Sequence, residues 1–406
     1  MLIPFLIAAS PLPATACPPR PVDDATAEAV TSHYVELAHA RYQDSFAQAQ
    51  ELLAAIRAFL ESPSRETQDA AKEAWLAAHI TYSHSEVLRF GNPNVDAWEG
   101  HVNAWPMDEG LIDYVADGYV HHEGNPYART NLIVEGRMMI TDDLIAEYRD
   151  GSDPKAAASA NITDVESNVT TGYHAIEFLL WGQDLNVEPG TAGLRPYTDY
   201  VVGEGGTHGP TSRRRDYLSA AARLLLTDLR FMLYQWTPEK GRYTREYQAL
   251  PLEERLRRMT LGLGSLSFAE VASERVRVAL ITSDQEEEQS CFSDTSLEAL
   301  LANVEGIESM YLGRHVMASG KVVEGPSVAD LVVQLDPELD RQLRGEMRDT
   351  IEFVAKLVEA GQPLDELIPA ENEAGREQLR RLMELLRVQT VSLEAVHVMV
   401  PQLAKL

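Results

Sequence analysis

Two cysteines in 406 residues, Cys17 and Cys291, are too few for a disulfide framework, and neither stands in a zinc-binding spacing. A single Cys17–Cys291 bridge is open to the chain, but no pattern calls for it. Basic residues are also scarce. Lys+Arg 35 against Asp+Glu 63 leaves a net charge of -28, which repels nucleic acid and anionic lipid and excludes both as partners. The simplest role of that charge is solubility. Period-two runs of Val, Ile and Thr are few, which argues against a large sheet. Beyond the N-terminus no run is long and apolar enough to span a membrane. A glycine-rich phosphate loop, a G-x-S-x-G elbow, a kinase signature and the H-E-x-x-H of zinc peptidases are all absent, which lowers the nucleotide and hydrolase readings.

What is present favours helices. Ala, Leu, Glu, Arg and Gln dominate, and apolar residues make up 45% of the chain. The length exceeds the usual single core, so two helical-bundle halves are expected. Met1 to Ala9 is apolar, Ser10 to Pro13 is a breaker stretch, and Ala14-Thr15-Ala16 is a small-residue cleavage pattern. Residues 1–16 therefore read as an export signal. Cys17 directly after it allows a second reading, a lipoprotein signal with Cys17 acylated.

Long amphipathic helices are expected over Thr26 to Leu60 and Arg65 to Phe90, with a Ser62-Pro63-Ser64 turn between them. On the second, Trp75, His79, Tyr82, Glu86 and Arg89 share a face, either as a cleft lining or as an exposed face with a few large residues. Shorter helical signals follow in Glu109 to Tyr119 and Thr130 to Arg149. Next comes a helix carrying His174 and Glu177, with Thr163 and Glu166 as an upstream capping box and Gly182 as its stop. This assigns residues 26–184 to the first half, the Gly- and Pro-rich 185–210 to a linker, and 211–400 to the second half. The second half reads as helices over Ser212 to Gln235, Leu252 to Thr282, Leu297 to Tyr311, Asp336 to Ala360 and Ala374 to Ala395. The small residues Gly262 to Ser267 would let another helix approach closely. The halves echo each other faintly, which points to duplication.

His174 and Glu177, three apart, sit side by side on one helix face and suit a metal or a proton transfer; a satisfied core histidine is the plain alternative. Glu86 could face them across a cleft, or form an ordinary ion pair with Arg89. Glu270 and Glu274, beside Arg275, follow on one face and need cations if buried; otherwise they are solvated. The Asp284 to Gln289 run reads as a solvated acidic loop, and His121-His122 as an exposed pair that could bind a metal. Asn161-Ile162-Thr163 and Asn168-Val169-Thr170 match the glycosylation pattern by chance.

Several stretches together resemble the imelysin family. Gly172 to Asp184 is similar to its G-x-H-x-x-E signature. Arg89 to Asn94, Trp98-Glu99-Gly100, Val102 to Pro106, Arg195 to Tyr200, Gly264 to Phe268, Glu274-Arg275 and Ser290-Cys291-Phe292-Ser293-Asp294 follow in the family's order. The resemblance, nearest to the iron-regulated imelysin-like branch, implies an all-α fold of two bundle halves related by duplication, with the signature residues facing a cleft. It also implies a periplasmic or outer-membrane-associated bacterial protein tied to iron uptake, and a family name taken from metallopeptidase activity. Carried over, His174 and Glu177 become the site pair and Glu86 a further member. Two histidines that usually flank the late motif are missing: Gln289 and Leu297 stand there, and His79 stands where an Arg is usual.

The expectation is a non-catalytic metal-binding protein with His174, Glu177, Glu86 and Glu270 as ligands, an oxygen-rich set favouring iron over zinc. Trp75, Tyr82, Arg89, Trp181, Asp184, Glu274 and Arg275 would line the cleft. An envelope partner in iron uptake is implied, with the membrane reached only through a lipid on Cys17. The alternatives are a zinc metallopeptidase and a helical module that binds an envelope partner without metal.

Overall fold

The computed structural model describes residues 24–119, 125–135, 139–150, 165, 167–185 and 191–405. The stretch read as an export signal, Cys17, His121-His122, Asn161, and Thr163 and Glu166 of the expected capping box lie outside them. The fold is all-α. The strands among the described residues form one small antiparallel hairpin, Arg314–Val316 paired with Val322–Glu324.

The first helix, Asp24–Glu61, packs along Arg65–Ser83 and Thr211–Gln235, and the His174 helix, Gly172–Trp181, packs on both of the latter. A second group joins Leu252–Ser265, Ser296–Tyr311, Pro337–Glu359 and Glu373–Met399, and touches the first group through Asp24–Glu61 and Arg65–Ser83. Buried apolar side chains from both groups make one continuous core. Thr211–Gln235 therefore begins after the Gly- and Pro-rich stretch yet packs in the first group.

Helix starts follow their local chemistry. The Ser64 hydroxyl accepts from the Thr67 amide at 3.2 Å and the Thr67 hydroxyl accepts from the Ser64 amide at 3.0 Å, closing a capping box after the Ser62–Ser64 turn. The expected end at Phe90 is corrected. The helix stops at Ser83 and passes into a single tight turn, Glu86–Leu88. Arg41 is the reason: its guanidinium, fully buried on the first helix, caps the His84 carbonyl and also donates to the Gly306 carbonyl at 3.2 Å.

Glu109 to Tyr119 is not a helix beyond the turn Glu109–Leu111. The Gly110 and Ile112 carbonyls accept instead from the Asn131 and Ile133 amides at 2.9 and 3.1 Å. Thr130 to Arg149 is likewise reduced to Leu132–Glu135 and Asp142–Asp150. The helix from Leu252 continues to Thr282 but is wound as a π-helix over Leu266–Arg277. Within it the two glutamates expected on one face meet different surroundings. Glu270 meets Arg275, while Glu274 is exposed and lies outside the cleft.

The small residues act as expected at one position. A Cβ on Gly262 would lie 2.3 Å from the Val87 carbonyl oxygen, so that helix touches the turn at Glu86 backbone to backbone. At Gly264 the nearest atom would be 3.9 Å away. Gly262→Ala should therefore cost about 2 kcal/mol of unfolding free energy through overpacking, whereas Gly264→Ala should be neutral or stabilising by helix propensity. Chemical denaturation of the two variants checks this; equal effects would contradict it.

Candidate functional site

The signature glycine has a steric cause. Gly172 sits at φ 90, and a Cβ there would lie 2.5 Å from the Val102 carbonyl oxygen, which accepts the Tyr173 amide at 2.7 Å. The chain turns sharply there into the helix and aims His174 and Glu177 inward. Both are fully buried. His174 Nδ1 lies 2.8 Å from Glu177 Oε2. Glu177 Oε1 accepts from the Ser293 amide at 3.0 Å and the Ser293 hydroxyl at 2.6 Å. The late motif thus closes directly onto the signature helix.

Burial pushes the Glu177 carboxyl up to about 8 against the Ser293 hydrogen bonds, and pushes the His174 imidazole down to about 3, with the Arg275 charge adding to the effect. His174 Nε2 is buried with no hydrogen-bond partner among the described residues. The His79 ring lies edge-on to it, 5.2 Å between centroids, and Trp75 stacks on His79 at 4.8 Å. His79 is driven down to about 4 by burial and by His174, so it too is neutral. Its Nε2 bonds Asn103 Oδ1 at 3.1 Å, and since Asn103 Nδ2 donates to Glu86 Oε1 at 2.9 Å, the ring proton is assigned to Nε2.

Glu86 is not a free ligand. Arg275 donates to its two oxygens at 2.6 and 3.0 Å and Asn303 donates at 2.6 Å. Burial works to raise this carboxyl, but Arg275 and Asn303 hold it below its ordinary value. Glu270 is also taken: Arg275 reaches it at 3.0 Å and Arg89 at 3.5 Å. The four residues expected as ligands therefore divide into a His174–Glu177 pair and two carboxylates bound to arginines. Arg89, Glu270 and Arg275 line a cleft of about 350 Å³ together with Glu99, Asn103, Arg149 and Gln289. Trp75 and Tyr82 are core walls rather than cleft surface, being 0% and 2% exposed. Trp181 packs on Trp75 at 5.3 Å, under the Lys72 ammonium.

Asp184 lies elsewhere. It joins Asp294 and Asp365, and one carboxylate oxygen from each lies within 4.8 Å of the others. Burial, then Asp365, Asp184 and Glu177, push Asp294 up to about 8. Glu288 is fully buried beside this group, so the run read as a solvated loop turns inward at its end. Burial raises Glu288 well above its ordinary value, with Asp365 and Asp294 adding and the Ser296 hydroxyl opposing. Sequence reasoning missed Ser293, Asp294, Asp365, Asn103 and Asn303 as site residues. Ser293, Asp294 and Asn103 fall within recognised motifs, which was the available signal; Asp365 and Asn303 fall in none.

Glu99 provides a pH test. Burial pushes it up to about 7 from 4.5, with Arg89 opposing and Glu86 and Glu270 adding. Below the unfolded value both states hold the proton. As pH rises from there to the folded value, the unfolded chain releases it first, so stability falls, by up to about 3 kcal/mol. Unfolding free energies of wild type and Glu99→Gln, measured across that window, should diverge in favour of the variant as pH rises; parallel profiles would contradict the assignment.

The imelysin family model matches residues 38–393. A crystal structure from Parabacteroides distasonis, described as an iron-regulated protein A precursor, is 17% identical with a TM-score of 0.66, spanning 95% of this chain and 96% of that one. An imelysin-like protein of Psychrobacter arcticum is 14% identical with a TM-score of 0.55, spanning 93% and 95%. No curated protein sequence matches the chain. The two solved structures agree in fold, and the sequence model covers nearly all of the described body, Gly172 to Asp184 and Ser290 to Asp294 included: the chain belongs to the imelysin family.

Proposed function

We propose that this chain is an exported, non-catalytic metal-binding protein of iron uptake, working in the periplasm or at the outer membrane, with iron as its cargo. The observation that carries the reading is His174 Nε2. It is a buried, uncharged imidazole nitrogen without a hydrogen-bond partner among the described residues, while Nδ1 of the same ring is fixed by Glu177. A carboxylate behind one ring nitrogen is the usual means of orienting an imidazole toward a metal at the other. In the tautomer that carries its proton on Nδ1 toward Glu177, the neutral ring presents a free lone pair at Nε2 and needs no deprotonation to bind a metal there.

Glu177 then acts as a positioning residue. Glu86 and Glu270 contribute through Arg275 rather than as ligands, and the neutral His79 ring is the nearest second imidazole. Among the described residues no group of three His, Cys, Asp or Glu ligand atoms includes His174, whereas a catalytic zinc needs three protein ligands and an open position. This weighs against the metallopeptidase, and it leaves a cargo ion at His174 with one protein ligand of these types. No described helix is long and apolar enough to cross a membrane.

Anaerobic titration with Fe(II), and separately with Zn(II), tests the reading. His174→Ala should lose one bound equivalent, and Glu177→Gln should weaken that equivalent about 10-fold or more without removing it. Unchanged binding in His174→Ala would overturn the assignment. Cleavage of peptides by wild type, lost in that variant, would restore the peptidase.

A further inference from the structure

Asp184, Asp294 and Asp365 come from three separate segments: the end of the signature motif, the late motif, and the short helix Leu364–Leu367. Their oxygens lie within 4.8 Å of one another. That is the spread of ligands on opposite sides of a hard cation, whose bonds to oxygen are about 2.1–2.5 Å. Both Asp294 carboxylate oxygens are shut off from solvent and lack a hydrogen-bond partner among the described residues. Glu288 is an independent sign. It is 0% exposed, among the described residues neither of its oxygens has a hydrogen-bond partner in good geometry, and Asp365 and Asp294 are the charges that raise it, with the Ser296 hydroxyl opposing. Carboxylates packed together out of water are costly unless something positive lies among them.

We propose that Asp184, Asp294 and Asp365 bind a hard divalent cation of the Mn(II), Ca(II) or Fe(II) class, with Glu288 adding negative charge beside them. No imidazole or thiolate belongs to the group, so its donors are oxygen alone. A pocket of about 250 Å³, lined by Ser293, Asp294, Leu297 and Pro363 among others, gives an ion a way to Asp294. The apolar Leu297 side chain offers no ligand atom there, which leaves the oxygens as the donors. The site stands whether or not His174 binds metal.

Equilibrium dialysis of the full chain against Mn(II) alone tests this. Wild type should bind a single ion. Asp294→Asn and Asp365→Asn should each weaken it roughly 10-fold or more, since ligand charge sets affinity at such sites. Without metal, Asp294→Asn should melt at or above the wild-type temperature, because an amide stays neutral among the carboxylates without taking up a proton, and it should lose the rise in melting temperature that Mn(II) gives wild type. A wild type that binds neither Mn(II) nor Ca(II), or aspartate variants that bind Mn(II) as wild type does, would overturn the site. A loss in His174→Ala as large as that in Asp294→Asn would overturn its independence from His174.

Discussion

A carboxylate with no access to solvent must be satisfied by the protein, and Glu177 is satisfied from two places far apart in the chain. His174 meets one oxygen from the preceding turn, and Ser293, 116 residues further on, meets the other with its amide and its hydroxyl. That double bond to the late motif holds the two signature segments together. With Ser293 fixed, Asp294 is carried against Asp184, and Glu288 is drawn beneath them. A second tie, Glu86 to Arg275, does the same between the turn after Ser83 and the π-helical segment. Removing Arg275 would leave the Glu86 charge buried and alone, the costly way to disturb an ion pair, whereas Glu177, pushed up to about 8 and so protonated at neutral pH, would lose hydrogen bonds rather than an ion pair.

Helix existence was plain in the sequence because apolar spacing and caps are local. Asp24–Glu61, Thr211–Gln235 and Pro337–Glu359 lie close to where periodicity puts them. The misses have more than one cause. The second helix stops at Ser83 because Arg41 from a neighbouring helix takes the next carbonyl. The π-winding at Leu266–Arg277 follows no local signal, and the hairpin strands, three residues each, are too short to show a period.

The site was legible in the same proportion. His174 and Glu177 are neighbours on one helix, so spacing alone paired them. Glu86 was expected to face them or to pair with Arg89; it reaches His79 only through Asn103 and pairs with Arg275 instead. Asp365 had no motif to mark it, and its place beside Asp184 exists only in the folded chain. Gln289 lines the cleft and Leu297 the pocket beside Asp294, and neither side chain offers an imidazole there.

Two kinds of donor thus meet at the junction of the signature and late motifs: a neutral imidazole oriented by a carboxylate, and a cluster of oxygens without an imidazole. The first suits borderline metals and the second hard ones. The most direct test is anomalous diffraction at the iron edge from crystals soaked anaerobically in Fe(II). The account predicts a peak at this junction, within about 2.2 Å of His174 Nε2 or among the oxygens of Asp184, Asp294 and Asp365. A peak only at exposed surface carboxylates, or none, would contradict it.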